Sequence, residues 1–294
     1  MVRKLGLSIV KETYQRFNAD KAPRLAAAIS FTTIFAIAPV FIIVIAVAGY
    51  AIGVADGTGH GHNLVEEKML DAVRQSAGSG AADAVRDMVS ATFNRPSQSI
   101  VAQIVGWITL VLGAAGLFAA LQDALNTIWH AEPPKVPIVT MLRDRLASIG
   151  MLLAIGFLLL VTTALNAAIS YVSTYLADAL PFAGAGAVLA VISVAISFLL
   201  IALLFALMFK YLPDVPIAWG DVCIGSLATS AAFVVGQTLI ALYLGRAGVA
   251  SGYGAAGSLL VLLLWVYYSS LILLFGAEFT RVYAERHGFH AAAP

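Results

Sequence analysis

The chain has 294 residues, 61% of them hydrophobic and 11% charged, with a mean hydropathy of +0.91. That balance excludes an ordinary soluble domain and points to a polytopic membrane protein. Its 17 lysines and arginines nearly cancel its 16 aspartates and glutamates, so no global field favours nucleic acid, and the lone Cys223 cannot close an intrachain disulfide.

Residues 1–24 carry Arg3, Lys4, Lys11, Arg16, Lys21 and Arg24 among Leu5, Ile9 and Phe17. They contain no continuous apolar core of signal-peptide type, so no cleavable signal is expected. This basic N-terminal segment reads either as a short helix on the anionic cytoplasmic leaflet, gaining ~1 kcal/mol per basic residue, or as a plain topology determinant. Six uncharged runs follow, each long enough to span: Leu25–Ala55, Pro96–Gln122, Leu146–Ala177, Ala179–Lys210 up to its terminal lysine, Val222–Gly245 and Ala247–Ala277. The expected fold is all-α, with six transmembrane helices in a domain over 25–283 and a cytoplasmic tail over 284–294.

In the first span Ala26–Ala28, Ser30, Thr32 and Thr33 allow close helix approach, and Pro39 predicts a kink, either a hinge or a static bend. The long connection Val54–Ser99 differs from the others. Val65, Met69, Ala72 and Val73, then Val85, Met88, Val89 and Thr92, recur at helical spacing around Gly78-Ser79-Gly80. Two amphipathic helices over the outer face follow, gating a cavity or packing on the bundle.

The second span, Gly106–Trp129, ends in Gln122, Asp123 and Asn126, with no charge between Arg95 and Asp123. Trp107 and Trp129 would lie about 33 Å apart as interfacial anchors. Asp123 then sits about 9 Å inside the second anchor, where a charge costs up to ~3 kcal/mol unless paired or hydrated. It is therefore a structural partner or part of a site. Gly106, Gly113, Gly116 and Ala120 form a small-residue strip at whose edge Asp123 should face protein. Pro133, Pro134 and Pro137, then Pro181, then Pro213 and Pro216, mark turns between spans. The last span opens on Gly254-Ala255-Ala256-Gly257 and leaves through Phe275-Gly276-Ala277-Glu278.

Six spans put both termini on one side. With the N-terminus inside, the cytoplasmic segments hold 12 basic residues and the outer ones five, Lys68, Arg74, Arg86, Arg95 and Arg246. That bias predicts cytoplasmic N- and C-termini.

These residues resemble the YihY/BrkB-like inner-membrane proteins of bacteria, once labelled ribonuclease BN. The resemblance spans nearly the whole chain. It rests on Ala26-Ala27-Ala28 through Ala38-Pro39, on Gly116-Leu117-Phe118 through Asn126 and Trp129, and on Leu212-Pro213-Asp214 with Trp219 and Asp221. Tyr253-Gly254, Trp265, Tyr268 and Gly276-Ala277-Glu278 complete it. It implies six transmembrane helices, cytoplasmic termini, a bacterial inner-membrane location and, for some members, export or flipping of lipid-type molecules.

A metal-dependent ribonuclease would need His and carboxylate ligands within reach of RNA. Only His60 and His62 with Asp56 and Glu66 are dense enough, and they fall on the predicted outer loop. No enzymatic activity, metal, cofactor or nucleic-acid partner is expected. A channel would want repeated polar lining, whereas Gln103, Asn166 and Gln237 are scattered singles. The expected partners are membrane lipids and an amphipathic or lipid-like substrate, and the sequence sets no oligomeric state.

The alternating topology brings Asp123 and Glu278 to the cytoplasmic level, with Arg24, Arg143, Arg145, Lys210 and Asp221 near the same depth. The expected substrate-binding set is Gln122, Asp123, Asn126, Arg145 and Glu278, facing a hydrated cavity that takes the polar head of the substrate. The alternative is an interfacial salt-bridge belt in a structural or partner-binding membrane protein.

Overall fold

The computed structural model describes residues 2–37, 61–93, 116–131, 185–246 and 257–287. Among these every regular element is a helix: α1 (Val2–Ala19), α2 (Ala22–Ile37), α3 (Gly61–Ala77), α4 (Ser79–Phe93), α5 (residues 116–129), α6 (Ala185–Tyr211), α7 (Trp219–Arg246) and α8 (Gly257–His287). The third predicted span, Leu146–Ala177, lies outside the described residues, as do Pro39, Trp107 and Gly254. Among the described residues three helices are long and apolar enough to cross a membrane, over Val194–Tyr211, Trp219–Leu244 and Gly257–His287.

The α1–α2 joint falls at Lys21, whose φ of 55° is left-handed. That conformation costs roughly 1–2 kcal/mol for a residue with a Cβ, and the packing on either side holds it. Ile9, Thr13 and Phe17 bury one face of α1 against the C-terminal half of α8, where Phe17 meets Phe275 edge-on at 5.7 Å. Ala22, Ala26, Ile29 and Ala36 form the buried stripe of α2 at helical spacing. Of the alanine triplet expected to allow close approach, only Ala26 is buried; Ala27 and Ala28 face outward. Ser30 Oγ donates to the carbonyl of Leu263 at 2.8 Å and ties α2 to α8.

Among the described residues the most extensive helix contact is between α7 and α8. Thr229 Oγ1 donates to the carbonyl of Gly225 at 2.6 Å, and Thr280 Oγ1 to that of Gly276 at 2.7 Å. Each threonine also rests on the other helix's glycine. A Cβ on Gly225 would lie 2.7 Å from Thr280 Cβ, and one on Gly276 would lie 2.8 Å from Thr229 Cβ. Two Gly-x-x-x-Thr units thus interlock, the threonine hydroxyls satisfied within their own turns. By contrast, a Cβ on Gly116 would meet nothing within 4 Å, so among the described residues the predicted strip on α5 makes no close approach there.

Two apolar clusters stand at opposite ends of the bundle. One gathers Phe17, Ala26, Leu125, Ile128, Phe209, Val222 and Leu274 from α1, α2, α5, α6, α7 and α8. The other joins Val65, Leu70, Val85 and Val89 of α3 and α4 to Leu244 of α7 and Val261 of α8. The two amphipathic helices are present where the spacing predicts them, separated by Gly78 at a φ of 89°, and they pack on the bundle.

Gly276→Ala should test the interlock. In an exposed helix this change gains about 1 kcal/mol; here the added methyl should lower stability by roughly 1–3 kcal/mol in thermal unfolding of the purified protein. Adding Thr229→Ala should recover part of the loss. A stabilised Gly276→Ala variant would show that α7 and α8 do not touch here.

Candidate functional site

At the end of the bundle away from α3 and α4, the C-termini of α1, α5 and α8 converge. Helix α5 stops by a Schellman turn: the N–H of Ala131 bonds to the carbonyl of Asn126 at 2.9 Å and that of His130 to Thr127 at 3.2 Å. The left-handed position belongs to His130, with a φ of 49°, where glycine is usual. The turn delivers the imidazole to α1 and α8.

His130 Nε2 lies 3.1 and 3.2 Å from the two carboxylate oxygens of Asp20, and Nδ1 lies 3.1 Å from Arg281 Nη2. A guanidinium only donates, so Nδ1 accepts from Arg281 and Nε2–H donates to Asp20. Arg281 also donates from Nη1 to the carbonyl of Ile128 at 2.5 Å, pairs through Nε with Glu285 at 3.0 Å, and lies 3.7 Å from Asp20. Its side chain is only 14% exposed. Arg16 bridges Glu285 and Glu12, each at 2.7 Å, and Arg286 bonds Glu12 and Ser8. Charges at Glu12 and Arg16 on α1, and at Asp20 just past its end, therefore mesh with Arg281, Glu285 and Arg286 on α8.

Arg16, Ala19, Asp20, His130, Arg281 and Glu285 line a cavity of about 320 Å³. Behind Asp20 stands Glu278, 0% exposed, with no donor to either carboxyl oxygen. The Asp20 carboxyl is within hydrogen-bonding reach of it, and Arg281 and Arg16 are cations whose charge bears on it. Such a contact between two carboxyls is a bond only when one of them carries a proton.

A second polar cluster closes the α6–α7 connection. Asp214 accepts from Gln122 Nε2 at 3.1 Å and Asn126 Nδ2 at 2.6 Å, while its own N–H donates to Asn126 Oδ1 at 2.8 Å. Lys210 donates to the carbonyl of Ile217 and sits 5.7 Å over the Trp219 ring. Asp221 is buried in the first turn of α7, where the helix dipole favours a carboxylate.

The structure therefore divides the residues expected to bind substrate. Gln122 and Asn126 come together, but on Asp214. Asp123 is exposed, with its carbonyl taken by Thr127 Oγ1 at 2.8 Å, where the strip argument has it facing protein. Glu278 is buried beside Asp20, a lining residue of the cavity, and does not itself line it. Arg145 lies outside the described residues, as do Arg143, His60 and the side chain of His62. Trp129, expected as an interfacial anchor, packs part-buried against the core. Sequence reasoning missed Asp20, His130 and Arg281. The signal was present as two charged stripes, Glu12-Arg16-Asp20 at i, i+4, i+8 along α1 and just past its end, and Glu278-Arg281-Glu285 at i, i+3, i+7 on α8.

Residues 13–293 match the profile of the family described as virulence factor BrkB. The chain belongs to the BrkB family. Similar curated proteins include a UPF0761 membrane protein of Pseudomonas paraeruginosa, 28% identical over 275 residues, which are 92% of this chain and 62% of that protein. One from Rhodospirillum centenum is 29% identical over 282 residues, 95% of this chain and 58% of that protein. One from Aggregatibacter aphrophilus is 26% identical over 274 residues, 92% of this chain and 90% of that protein. The chain thus spans about three fifths of the length of the first two. No solved structure matches it. This BrkB-family chain is a membrane protein with bacterial relatives, as its composition and residue matches imply.

The α1–α8 mesh carries a pH signature. The hydrogen bond from Arg286, together with that from Arg16, holds the Glu12 carboxyl below the usual carboxylate range, against the opposing effect of burial. Its stabilising contribution is complete above that range and disappears as the pH falls through the lowered folded-state value. Acid titration of the melting temperature should show a loss that begins near about pH 4 and continues below it. Glu12→Gln should lower the neutral-pH melting temperature and remove that part of the acid loss; an unchanged acid limb in the variant would exclude Glu12 as its source.

Proposed function

We propose that this BrkB-family protein transports an amphipathic, lipid-like substrate, exporting or flipping it across the bacterial inner membrane. The observation that carries this reading is the mixed-charge cavity of about 320 Å³ at the charged end of an otherwise apolar helix bundle. Arg16 and Arg281 offer donors to an anionic group, while Asp20 and Glu285 offer acceptors to an amine. The apolar part of such a substrate stays among helices or in lipid. Glu278 remains in this site, and Gln122 and Asn126 serve it by fixing Asp214 at the α6–α7 turn. The partition of 12 basic residues against five supports cytoplasmic termini, with the cavity opening to the cytoplasm and the α3–α4 pair lying outside.

A second reading is a structural or partner-binding membrane protein. It is favoured by how completely Glu12, Arg16, Glu285 and Arg281 pair with one another. Ala19→Trp separates the two, because it fills the cavity without removing a charge. In vesicles of bacterial polar lipids with a short-chain fluorescent phospholipid, the purified protein should speed translocation over protein-free vesicles. Ala19→Trp should slow it about tenfold, equal to about 1.4 kcal/mol of barrier, at unchanged melting temperature. Translocation no faster than in protein-free vesicles would favour the structural reading, and an Ala19→Trp rate equal to wild type would remove the cavity from the mechanism.

A further inference from the structure

We propose that Asp20 and Glu278 form a proton-binding site at the back of the mixed-charge cavity. As the coupling element of transport this pair rests on the reading above, but its proton occupancy is measurable without any transport.

The geometry leaves an ionised Glu278 without a hydrogen-bond donor. Its side chain is 0% exposed and neither oxygen meets a donor, and an ionised carboxylate in that setting is an unpaired buried charge. The Asp20 carboxyl stands within hydrogen-bonding reach. A single proton between the two converts mutual repulsion into an O–H···O bond. Asp20 already receives His130 Nε2–H and lies beside Arg281, whereas Glu278 receives nothing, so Glu278 is the member that gains a hydrogen bond by carrying the proton. Asp20 is 16% exposed and lines the cavity, which gives the proton a way in from cavity water.

The step is a simple protonation: a proton leaves a hydronium ion in the cavity, a Glu278 O–H bond forms, and water remains. Other titratable and charged groups stand near the pair: Arg16 comes from α1, His130 from the end of α5, and Arg281 and Glu285 from α8. On α7, Asp221 is buried with His287 of α8 bearing on it. Loss of the proton leaves two adjacent negative charges that draw on Arg281 and Arg16. Those two arginines also hold Glu285 and the α5 terminus, so proton occupancy is linked to the α1–α5–α8 junction.

The test is infrared difference spectroscopy on the wild-type protein in lipid nanodiscs, titrated through the pH range in which it stays folded. The expected result is a protonated-carboxyl C=O band from a buried acid that shifts in D₂O, is lost in Glu278→Gln and moves in Asp20→Asn. Glu278→Gln keeps the size of the side chain and supplies an N–H to Asp20, and if it fails to fold, the wild-type band and its Asp20→Asn shift still decide. Absence of the band in wild type at every pH would overturn the proposal, as would a band unmoved by both substitutions. A band that vanishes when sodium replaces choline in the buffer would make the pair a cation site and equally overturn it. Protein that shows the band but moves no lipid would retain the proton site and discard the transport reading.

Discussion

The planar, five-donor guanidinium of Arg281 is the constraint on which the charged end of this bundle depends. A helix C-terminus leaves carbonyls without intrahelical donors, and α5 presents that of Ile128 to α8. Arg281 answers it with Nη1 while spending Nη2 on His130 and Nε on Glu285. One side chain thereby fixes the end of α5, sets the tautomer of an imidazole and, through Glu285 and Arg16, holds α1 down. The left-handed His130 and Lys21 are affordable because this junction over-determines them.

Division of labour along the bundle follows from the same physics. Small residues let α7 and α8 come together with the threonine hydroxyls satisfied within their own turns. An interhelical ionic junction forms at one end, where it can be hydrated, and amphipathic helices with their own surface charges cover the other. Glu278 sits where these regimes meet: one face of its turn belongs to the α7–α8 interlock through Gly276 and Thr280, the next residue along, Arg281, to the ionic junction. A carboxyl at such a boundary is coupled to both packing and charge.

Much of this was legible in the sequence. Composition and uncharged runs give an all-helical membrane protein, and the spacing of Val65, Met69, Val85 and Val89 gives α3 and α4. Glu278 at the exit of the last apolar run was also readable. Contacts between distant segments were not, because hydropathy records depth and not azimuth. Asp123 and Asn126 lie within one turn, yet Asn126 meets Asp214 and Asp123 faces outward. Counting Arg16 only as positive charge hid its role, which depends on Glu12 one turn before it and on Glu285 of α8. The Gly-x-x-x-Thr units are visible in each helix alone, but their reciprocity appears only when α7 and α8 are laid antiparallel.

The most direct measurement of this account is the thermal stability of Arg281→Lys beside Arg281→Gln in the purified protein. If the junction depends on a planar fork, a lysine that keeps the charge cannot reach Ile128, His130 and Glu285 together. Both variants should then lose about 2 kcal/mol or more, with Arg281→Lys recovering little. Wild-type stability in Arg281→Lys would show that charge alone suffices and would contradict the organisation described for this end of the molecule.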